Sequence, residues 1–391
     1  MAQALQVAVV TETYPPEING VANTMRQLVA RLAQRGHRVQ VIRPRQATDR
    51  KPHPTETLVP GLPIPGYPGL RFGLPVYWRL RRQWHRQRPD VVYIATEGPL
   101  GQAALRAAQA VAIPTLTGFH TQFEQYSLHY GLGLLAAPIA RALRRFHNRS
   151  DATLVPTAEL RDRLTAEGFN KVQVVGRGVD TTLFNPTRRR TELRARWGCA
   201  PADPLLLYVG RLAAEKNIAL VLETFTRTQA ALPNAQCMLV GDGPELARLR
   251  RAYPQFRFAG AKVGVELAEH YASADLFVFP SLTETFGNVV PEAMASGLAV
   301  VAFDDAAAHN IIRSWDNGIT VDPGDPGAFI AAAVAVAQDL GRLRRYGVKA
   351  RATAETLDWD GVIDAVERCL FDVIRRHAMP HRPEGLAATP E

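Results

Sequence analysis

The sequence predicts an α/β protein built as two doubly wound domains facing each other across a cleft. Three observations carry this. Short apolar runs recur along the chain, helical patterns separate most of them, and the rhythm occurs in two series joined around VGRGVDTTLFNPTRRR (175–190). Near-continuous apolar strands alternating with helices imply parallel sheets covered on both faces. A length of 391 residues is enough for two cores.

In the first series the runs are QVAVVT (6–11), RVQVIRP (38–44), VVYIAT (91–96), PTLTGF (114–119), ATLVPT (152–157) and VQVVG (172–176). NTMRQLVARLAQRG (23–36) is the first helical pattern, and Gly36 is a good stop for it. The second series holds LLLYVG (205–210), QCMLVGD (236–242), FRFAG (256–260), DLFVFP (275–280) and LAVVAF (298–303). The expected units are residues 1–185, residues 186–357, and a terminal helix with a frayed tail over 358–391. VGDGPE (240–245) supplies glycines for a tight strand-to-helix turn, a signal shared by many units of this kind.

Composition narrows the class. Hydrophobic residues make up 47% and charged residues 21%, as in ordinary globular proteins. Cys199, Cys237 and Cys369 show neither metal-ligand nor disulfide spacing, which predicts reduced thiols and a cytoplasmic protein. The first residues lack the basic segment and cleavage site of a signal peptide. No apolar stretch approaches the roughly 20 residues of a spanning helix. Residues 1–185 carry 23 Lys+Arg against 12 Asp+Glu, a net of +11, while the remainder carries 23 against 25, a net of −2. Such asymmetry suggests that the first domain faces an anionic partner.

The most informative stretch is SLTETFGNVVPEAMASG (281–297). Ligands of such sheets bind beyond the carboxyl ends of the strands, and this segment directly follows one of them. Backbone N–H groups around Phe286, Gly287, Asn288, Val289 and Val290 open a helix and suit an anion. Glu284 precedes them and Glu292 falls just inside the helix. Carboxylates repel phosphate but accept hydrogen bonds from sugar hydroxyls. A sugar on each side of a diphosphate describes a nucleotide sugar. The alternative is that Glu292 complements the helix dipole and Glu284 is a solvated loop residue. Arg211 and Lys216, in YVGRLAAEKNIALVLETF (208–225), put two cations at the mouth of the second domain's first strand, where a diphosphate leaving group would suit them.

These segments, with TETYPPEINGVANTMRQLVARLAQRGHRV (11–39), ATEGPLG (95–101), FHTQFEQY (119–126), GRGVD (176–180), GRLAAEKN (210–217), LVGDGPE (239–245), YASADLFVFPSLTETFGNVVPEAMASGLAVVA (271–302) and NGITVDP (317–323), span nearly the whole chain. In order and content the chain resembles a retaining glycosyltransferase of family 4 with the GT-B architecture. The nearest likeness is to the branch of α-mannosyltransferases and of sulfoquinovosyl- and glucosyl-diacylglycerol synthases. The resemblance implies that Glu284 binds hydroxyls of the donor sugar and Glu292 the nucleotide ribose. It implies that Arg211 and Lys216 neutralise the diphosphate, which the amides of Phe286 to Val290 also meet. His120 would reach the donor sugar near the scissile bond. Gly210, Asn19 and Gly20 fall at loops that approach the donor, and here Asn19-Gly20 departs from the two glycines similar enzymes often carry. The terminal helix would return to the first domain.

The implied reaction is transfer of a hexose from GDP-mannose or UDP-glucose, with UDP-sulfoquinovose a third donor, by same-face attack, with no cofactor and no metal ion. Asp358 and Asp360 in LDWDG (357–361) have an Asp-x-Asp spacing, but they open a helical pattern, so a helix-start role is simpler. A lipid acceptor is suggested by PVYWRLRRQWHRQRP (75–89), where Tyr77, Trp78 and Trp84 mix with Arg79, Arg81, Arg82, Arg86 and Arg88. Basic and aromatic residues at helical spacing suit an anionic membrane surface. QYSLHYGLGLLAAPIARALRRFHNR (125–149) sets an apolar segment before a second basic helix. Core packing with a solvated basic face is the alternative for both. A soluble glycan or small molecule is the alternative acceptor. A basic nucleic-acid- or membrane-binding protein without catalysis is the alternative class, but no nucleic-acid recognition motif is present. A phosphorylase of the same architecture would need a pyridoxal-phosphate lysine site and a far longer chain.

Overall fold

The computed structural model describes residues 3–47, 49, 53–64, 70–120 and 133–378, and the side chains of these except 133–136. Among the described residues, nine strands belong to the first half: β1 (Gln6–Val10), β2 (Arg38–Pro44), β3 (Glu56–Val59), β4 (Gly61–Pro63), β5 (Arg71–Gly73), β6 (Val91–Ile94), β7 (Thr115–Gly118), β8 (Ala152–Val155) and β9 (Val172–Val174). Six belong to the second: β10 (Leu205–Val209), β11 (Gln236–Val240), β12 (Arg257–Gly260), β13 (Leu276–Phe279), β14 (Ala299–Phe303) and β15 (Ile319–Val321). The first sheet runs β3-β2-β1-β6-β7-β8-β9 and the second β12-β11-β10-β13-β14-β15, with every pair parallel. All four residues of β6 and all five of β10 are buried, as strands covered on both faces must be.

Strand order reverses between β1 and β6 and again between β10 and β13. A crevice opens at the carboxyl ends where neighbouring loops leave to opposite faces. Four loops therefore border that crevice at its two switch points: those after β1, β6, β10 and β13. Asn19 ends the first of them. Its Oδ1 accepts from Ala22 N at 2.8 Å and caps the Gly20–Gln34 helix, three residues earlier than its apolar pattern begins.

The chain crosses between domains earlier than the expected boundary at 185/186. Val175 packs in the first core, but Val179 and Phe184 already belong to the second. It returns alongside: Val179 N donates to Leu357 O at 2.9 Å, and a side chain on Gly178 would come within 2.9 Å of Trp359. The Trp359–Ala378 helix then packs Trp359, Ile363, Val366, Cys369, Leu370 and Val373 into the first core. Arg31 and Arg35 hold Asp360, each at 3.7 Å. Asp358 Oδ1 accepts from Gly361 N at 2.6 Å. The helix-start role of Asp358 is thus what the structure shows, and Asp360 is spent on cations of the other domain.

The basic aromatic segment needs one correction. In the Tyr77–Arg86 helix Trp84 is fully buried, alongside Leu80, and Tyr77 is half-buried. Burying these rings fills the space between helix and sheet, so the exposed face keeps one tryptophan. Trp78 is 73% exposed, with Arg81 stacked 5.6 Å above its ring. Arg88 turns inward to the carbonyls of Val111 and Ala112. Residues 121–132, which include the start of the second apolar-basic segment and most of the motif after His120, lie outside the described residues.

Candidate active site

The loop after β10 runs from Gly210 to Asn217. Gly210 sits with φ +158°, and its carbonyl would lie 1.9 Å from a side chain at Gly241. The glycines of VGDGPE thus serve close packing of two strand ends as well as a turn. Beyond it, Arg211 Nη2 meets Glu215 Oε1 at 2.9 Å. Glu215 is buried, and its backbone carbonyl accepts from Thr283 Oγ1 at 3.2 Å, tying this loop to the one after β13. A buried carboxylate needs such a cationic partner.

Lys216 Nζ reaches Glu284 Oε1 at 2.5 Å, and Ser281 Oγ donates to the same oxygen at 2.8 Å. The two residues that the sequence separates by 68 positions are therefore in contact. Gly287 lies in the left-handed region at φ +86°, which lets the chain turn back over Glu284 before the Val289–Ala295 helix. The side chains of Phe286 and Val290 point into the second core, so any role they have toward a ligand belongs to backbone. Val290 departs from expectation here, since its N–H already donates to Gly287 O at 3.0 Å. That narrows the donors of this turn to Phe286, Gly287, Asn288 and Val289.

Glu292 is half-buried and accepts from Tyr271 Oη at 3.2 Å. Burial pushes its carboxyl up to about 8, with the tyrosine bond only partly opposing. Tyr271, Ser281, Thr283 and Glu215 were not singled out from sequence. Tyr271 opens the YASADLFVFP segment, but nothing in its spacing marks a partner 21 positions away.

Among the described residues, the first domain meets this wall through Thr285, Asn288 and Asn310. Thr285 Oγ1 donates to His120 O at 3.0 Å. Asn288 Nδ2 reaches Gly20 O and Thr24 Oγ1, each at 3.4 Å. Asn310 Nδ2 donates to Glu159 Oε2 at 3.1 Å. A side chain at Gly20 would meet Asn288 Nδ2 at 3.5 Å, an ordinary contact, so the space at this position does not require glycine. Both polar atoms of the Asn19 side chain are engaged within the first domain, Nδ2 donating to Thr13 Oγ1 at 2.6 Å while Oδ1 caps the helix.

His120 follows β7. Its Nε2 lies 3.1 Å from Tyr93 Oη and its Nδ1 2.8 Å from Arg177 Nη2. Burial, then the charges of Arg177 and His147, hold the imidazole well below its usual range. Glu12 and Glu17, in the loop after β1, are each pushed up to about 7 by burial. The amide of Leu100 opposes this at Glu12 while nearby Glu97 adds to it; the Thr13 and Asn19 side chains oppose it at Glu17.

The model of Glycosyltransferase Family 4 matches residues 18–183, and that of Glycosyl transferases group 1 matches residues 203–339. A GDP-mannose-dependent alpha-mannosyltransferase of Mycolicibacterium smegmatis is 33% identical over 367 residues, covering 92% of this chain and 95% of its own. The chain belongs to glycosyltransferase family 4. An alpha-monoglucosyldiacylglycerol synthase of Streptococcus pneumoniae is 26% identical over 325 residues, covering 79% of this chain and 73% of its own. Among solved structures, sucrose-phosphate synthase from Thermosynechococcus elongatus superposes with a TM-score of 0.77 at 18% identity, over 95% of this chain and 100% of that one. The architecture is GT-B, as the resemblance implied, and the activity is hexosyl transfer.

Proposed function

We propose that this hexosyltransferase retains anomeric configuration, needs no metal ion, and moves its sugar from a nucleotide donor to a lipid-borne acceptor. The observation that carries the proposal is the meeting of the loops after β10 and β13 with the one after β7 of the first domain. Arg211 and Lys216 stand after β10, Glu284 after β13, and His120 faces them across the Thr285 bond. Arg211, Lys216 and the amides of Phe286 to Val289 stabilise the diphosphate as its charge grows. Glu284 holds donor-sugar hydroxyls and Glu292 those of the ribose. The acceptor hydroxyl attacks the face that the phosphate leaves, its proton passing to the departing phosphate oxygen as the new glycosidic bond forms.

Mannose from GDP-mannose is the favoured donor, on the likeness to the mannosyltransferase over almost the full chain. Glucose from UDP-glucose stands second. The lipid acceptor is supported by the likeness to a diacylglycerol glucosylating enzyme and by the exposed Trp78 with Arg81 and Arg82 on a domain of net charge +11. Among the described residues no helix is long and apolar enough to cross a membrane, so attachment would be peripheral. Each Lys or Arg near an anionic surface adds about 1 kcal/mol.

The test is transfer from GDP-mannose, UDP-glucose and UDP-sulfoquinovose to diacylglycerol in vesicles of graded anionic lipid content, with and without excess EDTA. One donor should give an α-linked product, faster as anionic lipid rises and slower with salt. Loss in EDTA that Mg²⁺ restores would overturn metal independence. Equal transfer to a soluble glycan without vesicles would overturn the lipid acceptor.

A further inference from the structure

His120 lies between two groups that together decide which of its nitrogens carries a proton. A guanidinium has only donors, so at 2.8 Å from Arg177 Nη2 the imidazole Nδ1 is an acceptor. A neutral ring then carries its proton on Nε2, and that N–H donates to Tyr93 Oη at 3.1 Å. The tyrosine hydroxyl keeps its own proton for a further acceptor.

We propose that Arg177 is a positioning residue of the transferase, fixing His120 as the neutral Nε2–H tautomer and presenting that edge, with Tyr93, to the sugar in the cleft. The proposal rests on the donor-site reading above. Three anchors hold the ring and its backbone: Arg177 from the crossing segment after β9, Tyr93 from β6, and Thr285 Oγ1 on the His120 carbonyl at 3.0 Å. Gly118 supplies the space. A side chain there would lie 2.3 Å from His120 Nε2 and 2.4 Å from Tyr93 Oη.

Among the described residues, the charged or titratable groups acting on the ring are Arg177, Tyr93 and His147. The acid near them, Glu97, is engaged by His147 Nε2 at 3.2 Å. Protonating His120 would place a second positive charge against Arg177 with no carboxylate partner, which burial makes costlier still. The consequence suits the reaction. The Tyr93 hydroxyl, which accepts the His120 N–H, is then the neutral donor that can hold a sugar hydroxyl while positive charge develops at the anomeric carbon, whereas an imidazolium behind it would oppose that charge. No proton leaves His120 during transfer.

The experiment is ¹⁵N NMR of the histidine rings in the full chain saturated with GDP, His120 being assigned by loss of its signal in His120→Asn. Nδ1 should be pyridine-like and Nε2 pyrrole-like, unchanged from about pH 8 to about pH 5.5, where an ordinary histidine of pKa about 6.5 gains its proton. In Arg177→Met the ring should mix tautomers and titrate. The kcat for transfer should fall about 10²-fold with donor KM little changed, and an acid limb should appear in its pH profile. Arg177→Lys, which also offers only donors, should restore the tautomer and remove that limb. A pyrrole-like Nδ1 in the wild type, an imidazolium at low pH, or an unchanged tautomer and flat profile in Arg177→Met would each overturn the proposal. The wild-type spectrum needs only the His120→Asn assignment, so a misfolded Arg177 variant cannot shelter the proposal. A wild type with the expected tautomer but no transfer from any nucleotide sugar would sink the donor-site reading and leave the tautomer assignment standing.

Discussion

On the second-domain wall of the cleft, Arg211 and Lys216 each hold a carboxylate, Glu215 at 2.9 Å and Glu284 at 2.5 Å. On the first-domain wall, Glu12 and Glu17 face amides and hydroxyls instead, and His120 faces an arginine. The outcome is a wall with two close cation–carboxylate pairs, Glu292 standing apart from them, opposite a wall where burial disfavours the charged forms of two acids and an imidazole. Burial pushes the two acids up and the imidazole down, and both directions remove charge. The difference matches the reaction proposed. A leaving diphosphate needs fixed positive charge on its side, while an uncharged acceptor hydroxyl needs hydrogen bonds without a field that would pull ions out of water.

The largest effect should come from breaking the charged wall. Glu284→Ala removes the carboxylate that the sugar would use and that Lys216 now contacts. Transfer should fall about 10²- to 10³-fold. Binding of bare GDP, measured by calorimetry, should stay within a few-fold or tighten, because the Lys216 ammonium is no longer shared between that carboxylate and the phosphates. Glu292→Ala should do the reverse and weaken GDP. If both variants turn over normally, the paired charges are structural and the contrast between the walls has no catalytic meaning.

Breaking the neutral wall should cost less. Gly118→Ala drives a methyl group into the His120–Tyr93 contact without touching the second domain. A displacement of this kind should lower kcat about 10²-fold while donor KM changes little. Retention of full activity would mean that His120 does not act on the sugar. A parallel loss of GDP affinity would mean that the two walls are not separable.

How much of this could be seen in the sequence differs by wall. The charged wall is written in contiguous segments: Arg211 and Lys216 in one, Glu284 and Glu292 in another, each directly after a buried strand. The neutral wall is assembled from Glu12, Tyr93, Gly118, His120, His147 and Arg177, which only the sheet order brings together. Of these only His120 was singled out as a site residue, and it needed the family resemblance. Gly118 carries no left-handed backbone angle, so its necessity is purely one of space. The same logic holds for the fold. Eleven apolar runs became eleven strands with ends moved by a few residues at most, because strands buried on both faces cannot hide their composition. The edge strands β3 and β15 and the hairpin of β4 and β5 were missed. At three or four residues each, and partly exposed, they need no apolar run. Trp84 was misplaced because helical spacing alone does not say which face of a basic helix meets the core.

The smallest effect would sharpen the comparison by titrating the neutral wall. Glu12 Oε1 accepts from Leu100 N at 2.8 Å, in the first turn of the Pro99–Ala110 helix, a contact that favours the ionised form. Burial wins nonetheless and holds the carboxyl at about 7, with Glu97 adding to it. The native state therefore binds this proton more tightly than the unfolded chain. Below about pH 4.5 both states are protonated and the group contributes its full share. As pH rises toward 7 the unfolded chain has lost its proton while the native state keeps it, so stability falls, and above that the loss is complete. Glu12→Gln keeps an oxygen for Leu100 and removes the titration. Relative to wild type, its Tm should gain more at pH 8 than at pH 5, by about 2–4 °C for each kcal/mol recovered. Some slope should survive in the variant, since Glu17 and Glu292 are raised in the same direction. An equal drop in Tm at both pH values would show that Glu12 works as an ionised helix cap, and that the first wall is charged after all.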